Sequence, residues 1–384
     1  MKRKQWIISL AALMLLFSVV LSGCGGNGNS ANSNSANGNE GGKAKDNYTI
    51  GVMLYNYTDI QGQQIKAYCS YLEKNFNVKF NFATVGPSEE GHISGLENLL
   101  ASGVDAIISG YDTALEQSVS LTEEAGVYYA VALGEVDENV SGDYFVGGIK
   151  QFGENPEELG AKYAEQAYAS GAKHIGMTSF LEFAFVDAPA IIKGFTDKMS
   201  ELDTQGEVTV YPTEFHSFAP ENAADAVTKV ISDHPEVDAI VGLGSGMDYV
   251  YPAILNSTKP DIPMLALGYN DSTEDGFASG KVLMAGTNNY GQLIANSFAQ
   301  LYDRLSGKTY TDWKANGYIS YVTMTSIEEV QDFKKYVIPE DYSQGPVTAE
   351  ELKNVMLTYN DAATWESLQE LTNRTLAEIK AARN

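Results

Sequence analysis

Residues 264–308 read MLALGYNDSTEDGFASGKVLMAGTNNYGQLIANSFAQLYDRLSGK, and the order of their segments predicts the fold. Two short apolar runs, 264–267 and 282–285, are separated by a polar segment of helical length. Runs that are apolar on both faces are typical of parallel strands covered by helices on each side. The stretch therefore predicts a strand–helix–strand unit of an α/β fold, followed by a helix.

The same alternation extends through the chain from Tyr48 onward. Gly103, Gly126 and Gly171 each come shortly before an apolar run, where glycine suits the left-handed position that ends a helix. Repetition of this order predicts a doubly wound α/β fold with right-handed crossovers. The strands and helices fall into two series of similar layout, which predicts two lobes. The predicted strands are residues 49–54, 78–83, 104–109, 127–133, 144–147, 175–179, 208–211, 239–243, 264–267 and 282–285.

Ligands of such folds bind outside the carboxyl ends of the strands, so two facing lobes form a cleft that closes by hinge motion. The residues that follow the predicted strands mix aromatic rings with short hydrogen-bonding side chains. Sugar sites use this mixture, because rings cover the C–H face while Asp and Asn bind the hydroxyls. The candidate ligand-binding residues are Tyr55, Tyr57, Asp59, Tyr111, Asp112, Glu135, Phe180, Phe183, Ser245, Asp248, Asn270, Asp271 and Asn288.

The N-terminal segment has the pattern of an export signal. Lys2, Arg3 and Lys4 precede the apolar run 7–21, which is shorter than the roughly twenty residues of a membrane-spanning helix. The run ends in Leu-Ser-Gly-Cys, which resembles the bacterial lipobox. The resemblance implies a signal peptide over residues 1–23, removed on maturation, and acylation of Cys24 with fatty acids such as palmitate.

The segment after Cys24 favours a tether to the outer face of the cell membrane. Residues 25–42 contain only Gly, Asn, Ser, Ala and one Glu, too little apolar surface to fold, so residues 24–46 are expected to be a flexible linker. Cys69 is then left without a partner, and no disulfide is expected. The formal charge of −25 argues against nucleic acid and against membrane binding through the protein surface, so the lipid chains must supply the anchor.

Three stretches together resemble the type I periplasmic substrate-binding proteins of ABC importers, in the ribose- and galactose-binding branch. They are YTIGVMLYNYTDIQGQQIKAYCSYLEK at 48–74, LENLLASGVDAIISGYDTALEQSVSLTEEAGVYYAVAL at 96–133, and residues 264–308 quoted above. The resemblance implies a monomer with two parallel-sheet lobes, a cleft for a small solute, and delivery of that solute to a permease. A sensor partner that presents its ligand to a membrane receptor kinase would have the same fold and remains the alternative.

The resemblance also implies three crossovers between the lobes, near residues 147–149, 288–290 and 319–322. The expected N-terminal lobe is 48–147 with 290–318, and the expected C-terminal lobe is 148–288 with 320–345. Residues 346–384 then form a helical extension, which we expect to pack on one lobe. A docking surface for the transporter is the alternative role of this extension.

Several family positions differ in a way that bears on the ligand. Gly134-Glu135 stands where sugar binders commonly have Asp-Arg, and no Arg occurs between residues 187 and 195. Since Arg is favoured for carboxylate and phosphate recognition, a strongly anionic ligand is not expected. A neutral sugar or polyol is the first expectation, and an amine or nucleoside-like ligand is the second. The four arginines of the chain are Arg3, Arg304, Arg374 and Arg383.

The sequence does not fit the enzyme motifs that its glycine-rich segment and its histidines suggest. The segment Gly242-Leu243-Gly244-Ser245-Gly246 lacks the glycines of a nucleophile elbow, and Met247 stands where a dinucleotide fingerprint needs its third glycine. His92, His174, His216 and His234 do not have metal-ligand spacing. No catalytic residue, metal or cofactor is therefore expected.

Overall fold

The computed structural model describes residues 47–384, apart from Pro87, Glu138 and the side chain of Phe183. The predicted signal peptide, Cys24 and the linker lie outside the described residues. Within the described part of the chain, no helix is both long enough and apolar enough to cross a membrane.

In the described part of the chain, twelve strands form two six-stranded sheets, one in each lobe. The order is β11-β5-β4-β3-β1-β2 in the N-terminal lobe and β12-β10-β9-β8-β6-β7 in the C-terminal lobe. All pairs are parallel except β10 with β12. The strands are β1 Tyr48–Leu54, β2 Val78–Thr84, β3 Ala106–Ser109, β4 Tyr128–Val131, β5 Phe145–Lys150, β6 His174–Phe180, β7 Thr209–His216, β8 Ala239–Gly242, β9 Met264–Leu267, β10 Val282–Thr287, β11 Asn316–Tyr318 and β12 Val322–Met324.

Helices cover both faces of each sheet, and the predicted two-lobed α/β fold is confirmed. Each of the ten predicted strands is present, whereas β11 and β12 were not predicted as strands. The helices are α1 Ile60–Asn75, α2 Glu89–Ala101, α3 Leu115–Ala125, α4 Pro156–Ala169, α5 Ala188–Leu202, α6 Pro220–Asp233, α7 Gly246–Leu255, α8 Thr273–Ala278, α9 Tyr290–Leu305, α10 Ile327–Tyr336, α11 Ala349–Val355, α12 Trp365–Thr372 and α13 Leu376–Arg383.

The crossovers between the lobes lie against one another. The backbone N–H of Ile319, between β11 and β12, donates to the carbonyl of Lys150 at 2.9 Å, and that of Gly153 donates to Ile319 at 3.0 Å. The first crossover was expected near residues 147–149, but these residues belong to β5, so the chain leaves the N-terminal sheet after Lys150. Gly147 of β5 has φ +104°, and a Cβ there would lie 2.3 Å from the carbonyl oxygen of Ala315, so this strand requires glycine at the position.

The C-terminal extension packs on both lobes, contrary to the expectation of one. Trp365 and Leu368 of α12 are buried in the N-terminal core with β1 and α9. Ile379 of α13 is buried in the C-terminal core with α10, and Lys380 of the same helix forms an ion pair with Asp332 of α10 at 2.6 Å. The extension thus joins the lobes in addition to the three expected crossovers.

An ion-pair cluster fixes this extension. Glu351 of α11 pairs with Arg374, in the turn before α13, at 2.9 Å, and with Arg383 near the C-terminus. Burial acts to raise the pKa of the Glu351 carboxyl, but the hydrogen bonds from Arg383 and Arg374 outweigh it and lower that pKa to about 2. Two of the four arginines of the chain are therefore used in the extension.

Candidate functional site

The N-terminal wall of the cleft is built around two stacked tyrosine rings. Tyr55 follows β1 and Tyr111 follows β3, two neighbouring strands, and their ring centroids lie 3.8 Å apart with planes inclined by 13°. The Tyr55 hydroxyl hydrogen-bonds Thr113 Oγ1 at 3.1 Å, and Gln61 Nε2 donates to the Tyr111 hydroxyl at 3.0 Å. Burial raises the pKa of Tyr111 to about 12, so the phenol stays neutral and can donate to a ligand.

Tyr57 and Asp59 have structural partners in the same wall. The Tyr57 hydroxyl donates to the carbonyl of Val52 at 2.7 Å, and its ring packs edge-on against Phe82 within the lobe. Asp59 caps α1, because its carboxylate accepts from the backbone N–H of Gly62 at 2.7 Å. Asp59 keeps further acceptor capacity for a ligand, whereas the Tyr57 hydroxyl is committed to the backbone.

Two acids complete this wall beside the hinge. Asp112 lies in the loop after β3, where desolvation by the surrounding protein raises the pKa of its carboxyl. Glu135 follows β4 and forms an ion pair at 2.7 Å with Lys150, the last residue of β5. The positive charge of Lys150 is therefore paired within the protein.

The C-terminal wall contains a tight turn after β8. Gly244 and Ser245 both have positive φ, +72° and +56°, and a Cβ on Gly244 would lie 2.4 Å from the Phe180 ring. Phe180 is buried against Phe218 and Tyr249, with ring centroids at 4.5 and 5.7 Å. The Phe180 ring thus packs directly against the turn at Gly244. Ser245 is partly exposed, and its side chain forms no hydrogen bond that caps α7.

Asp248 and Asn270 form a unit in this wall. Asn270 Nδ2 donates to Asp248 Oδ1 and to the carbonyl of Met247, both at 2.9 Å. Burial raises the pKa of Asp248, while the hydrogen bond from Asn270 partly opposes the shift.

Asp271 is exposed and interacts electrostatically with Tyr269 and Lys334 of α10. Phe183 lies in the 3-10 turn Glu182–Ala184, and its side chain is not among the described atoms.

The Asn270→Ala variant is expected to weaken solute binding about fivefold to tenfold, because Asp248 loses the donor that orients its carboxylate. Isothermal titration calorimetry measures the affinity. Asn256→Ala is the matched control, since Asn256 is exposed and its amide bonds only to its own helix. Equal affinities for Asn270→Ala and the unmodified protein would remove Asn270 and Asp248 from the site.

The floor of the cleft is formed where the crossovers meet. Asn288 follows β10 and is only 7 % exposed. Its Nδ2 donates to Gln151 Oε1 in the first crossover at 2.9 Å, while its Oδ1 has no partner among the described residues. The Asn288 side chain also adjoins the phenol of Tyr290, which interacts electrostatically with Tyr111 and Asp59.

One acid of the C-terminal wall was missed by the sequence reasoning. Asp187, just before α5, interacts electrostatically with Glu135, Lys150 and Asp112 across the cleft. Burial is the main cause that raises the pKa of the Asp187 carboxyl; Glu135 and Asp112 add to the rise, and Lys150 acts against it. Its position between a strand and the following helix was the available signal, the same one that selected the other candidates.

The two walls approach one another closely. Ile60, at the start of α1 in the N-terminal lobe, packs against the hydrophobic core of the C-terminal lobe. Asp59 and Asp248, from opposite lobes, interact electrostatically. Two cavities of about 480 and 660 Å³ lie elsewhere, between the hinge strands and the extension, and contain none of the predicted ligand residues. The candidate site remains the cleft, where the strand ends of the two lobes face each other.

This geometry, two parallel-sheet lobes around a polar and aromatic cleft, defines a class of solute-binding proteins. A family model for the periplasmic binding protein domain matches residues 50–309, and the chain belongs to this family, in its type I branch. Comparison with curated proteins gives no significant match.

Solved structures of ABC transporter solute-binding proteins share the fold. The protein from Agrobacterium vitis, solved with α-D-tagatopyranose, has 18 % identity and a TM-score of 0.62 over 74 % of this chain and 96 % of its own. The protein from Burkholderia graminis, solved with D-arabinose, has 16 % identity and a TM-score of 0.61 over 77 % and 99 %. The protein from Bacillus halodurans, solved with myo-inositol, has 16 % identity and a TM-score of 0.60 over 76 % and 99 %.

Proposed function

We propose that this chain is an extracytoplasmic lipoprotein that captures a hydroxyl-rich solute in its cleft and delivers it to an ABC permease, without catalysing a reaction. The observation that carries the proposal is the convergence of the Tyr55–Tyr111 stack with Asp248 and the Asn288 amide from the other strand ends. Aromatic faces and oxygen acceptors at such positions suit a sugar ring. The bound sugars and inositol of the similar structures support the same class of ligand.

The anchoring part of the proposal rests on Cys24 and the linker after it. A lipid on Cys24 would hold the core at the outer face of the cell membrane, within reach of a permease. We propose that the mature protein acts there as a monomer. The alternative, presentation of the ligand to a receptor kinase, needs the same cleft and anchor, and neighbouring genes for an ATPase and permease or for a sensor kinase distinguish the two.

A neutral sugar or polyol is the first candidate ligand. The cleft offers hydrogen-bond acceptors and neutral phenols, and the arginines of the extension are committed to Glu351. A solute with an amine, including a nucleoside-like one, is the second candidate, and the surplus of acids favours it. Both candidates share hydroxyl groups and the absence of strong negative charge.

Isothermal titration calorimetry on the ligand-free core from residue 46 tests the proposal. A panel of pentoses, hexoses, polyols, amino sugars, nucleosides, sugar phosphates and dicarboxylates covers the relevant chemistry. We expect binding by at least one hydroxylated solute that is neutral or cationic. Tight binding confined to sugar phosphates or dicarboxylates would overturn the proposed ligand class.

A further inference from the structure

The chain passes between the lobes twice more after the three crossovers. Ile338, which follows α10, packs against the C-terminal core, whereas Tyr342, four residues later, is buried in the N-terminal core. The chain returns after α12, because Leu368 is buried in the N-terminal core and Ile379 of α13 in the C-terminal core. In the described chain, five segments therefore join the lobes: the three crossovers, residues 339–341 and residues 373–375.

Both additional connections are short. Each has three residues, and three residues span at most about 10 Å when fully extended. The second connection, between α12 and α13, is also bound to the hinge, because Asn373 Oδ1 accepts from the backbone N–H of Ser320 in the third crossover at 2.6 Å. The length of these connections therefore limits how far the lobes can separate on this side.

Arg383 joins the lobes a second time at the far end of α13. Its two Nη atoms donate to the two carboxylate oxygens of Glu351 on α11, at 2.9 and 2.5 Å, and its Nε donates to the carbonyl of Gly345 at 2.8 Å. Both acceptors belong to the N-terminal lobe, since the nearby Val347 and Leu352 are buried in its core. A helix packed on the C-terminal lobe is thus bonded to the N-terminal lobe through a bidentate ion pair.

These bonds depend on the present arrangement of the lobes. The side chain of Arg383 is only 7 % exposed, and the fork of a guanidinium fits a carboxylate in one orientation. Rotation of one lobe relative to the other moves α13 relative to α11 and breaks this geometry. In the same arrangement the walls of the cleft are close, because Ile60 of the N-terminal lobe packs against the C-terminal core.

We propose that residues 339–384 form a strap that holds the lobes close together even when the cleft is empty, and that Arg383 is its clamp. Contacts made in one arrangement only shift the population toward that arrangement. A cleft with the strap therefore opens less often, and releases a bound solute more slowly, than one held by three crossovers alone. The inference goes beyond the proposed function, because it concerns the motion of the lobes and not the identity of the solute.

Pulsed EPR on the ligand-free core, residues 46–384, measures the separation of the lobes. Spin labels are attached at Glu116→Cys and Glu221→Cys, two exposed positions in the first turns of α3 and α6, which follow strands that end at the cleft. Cys69 is fully buried and stays unlabelled. We expect a single narrow distribution of distances. A broad distribution in the core with an intact strap would overturn the inference.

The Arg383→Gln variant is expected to move this distribution to longer distances, by more than about 2 Å at its mean, because the clamp is lost. Arg383→Lys keeps the charge without the bidentate fork, and should cause a smaller shift in the same direction. Lys308→Gln is the matched control, since Lys308 pairs with Asp361 on the N-terminal lobe alone, and should leave the distribution unchanged.

Thermal unfolding of each labelled variant checks that its fold is intact. Unchanged distances in both Arg383 variants, or an equal shift in Lys308→Gln, would overturn the inference. Either result would leave the proposed function in place, because the calorimetric panel measures which solute binds independently of how far the cleft opens.

Discussion

The Tyr111→Ala variant is expected to bind the solute about 100-fold more weakly than the unmodified protein, the effect of removing a central aromatic contact. The substitution removes one ring of the stack and leaves Tyr55 without its partner at 3.8 Å. It also leaves Gln61 Nε2 without the hydroxyl to which it donates. Calorimetry with the solute found in the panel measures the loss.

Two further variants separate the ring from the hydroxyl. Tyr111→Phe keeps the stack and should cost only about threefold to tenfold, the value of one hydrogen bond. Tyr168→Ala removes a tyrosine that is 37 % exposed on α4, and should leave the affinity unchanged. An affinity of Tyr111→Ala within a factor of two of the unmodified protein would show that the stacked pair is not the binding wall.

The Glu351→Gln variant is expected to lower the free energy of unfolding by about 3 kcal/mol at pH 7. Folding lowers the pKa of the Glu351 carboxyl from 4.5 to about 2, and a shift between these two values corresponds to roughly this energy. The variant leaves Arg374 and Arg383 beside a neutral amide, and the side chain of Arg383 is only 7 % exposed. Breaking a buried pair by removing one partner is costly, because the other charge stays buried. Urea unfolding at pH 7 measures the difference.

The pH dependence of this difference follows from the lowered pKa. The folded-state pKa of Glu351 is about 2 and its ordinary value is 4.5. The carboxylate therefore contributes its full stability above about pH 4.5 and loses it as pH falls toward 2. The difference in the free energy of unfolding between Glu351→Gln and the unmodified protein should therefore become smaller as pH falls from about 4.5 toward 2. Asp361→Asn, which breaks an exposed ion pair with Lys308, should cause no measurable change at pH 7. Equal stability of Glu351→Gln and the unmodified protein at pH 7 would contradict the role of the cluster.

The fold was largely predictable because its signals are local. Buried parallel strands such as β3 and β9 are continuous apolar runs, and Gly126 ends a helix in the left-handed conformation. The strands β11 and β12 were missed because each has three residues, too few for a recognisable pattern. The extension over residues 346–384 was expected to be helical, but a helical pattern does not state which lobe the apolar face of each helix contacts.

For the candidate site, the sequence predicted which loops contribute residues but not which contacts their side chains make. Strand ends placed Tyr55 and Tyr111 near one another, and the structure brings their rings into contact. The same rule could not show that Tyr57, two residues further on, directs its hydroxyl to the backbone of β1. Nor could it show that Asp187 interacts electrostatically with Glu135 and Asp112 of the other lobe, because a strand end does not state how the two lobes are placed relative to each other.

Mass spectrometry of the small molecule released from the purified core, residues 46–384, is the most direct test of the central claim. The core is purified without denaturation, and the solute is released by heat and identified by accurate mass and fragmentation. We expect one hydroxylated solute without phosphate or carboxylate groups, in up to equimolar amount. We also expect Tyr111→Ala to release far less of the same molecule. A phosphorylated sugar or a dicarboxylate released in its place, and retained by Tyr111→Ala, would contradict the account.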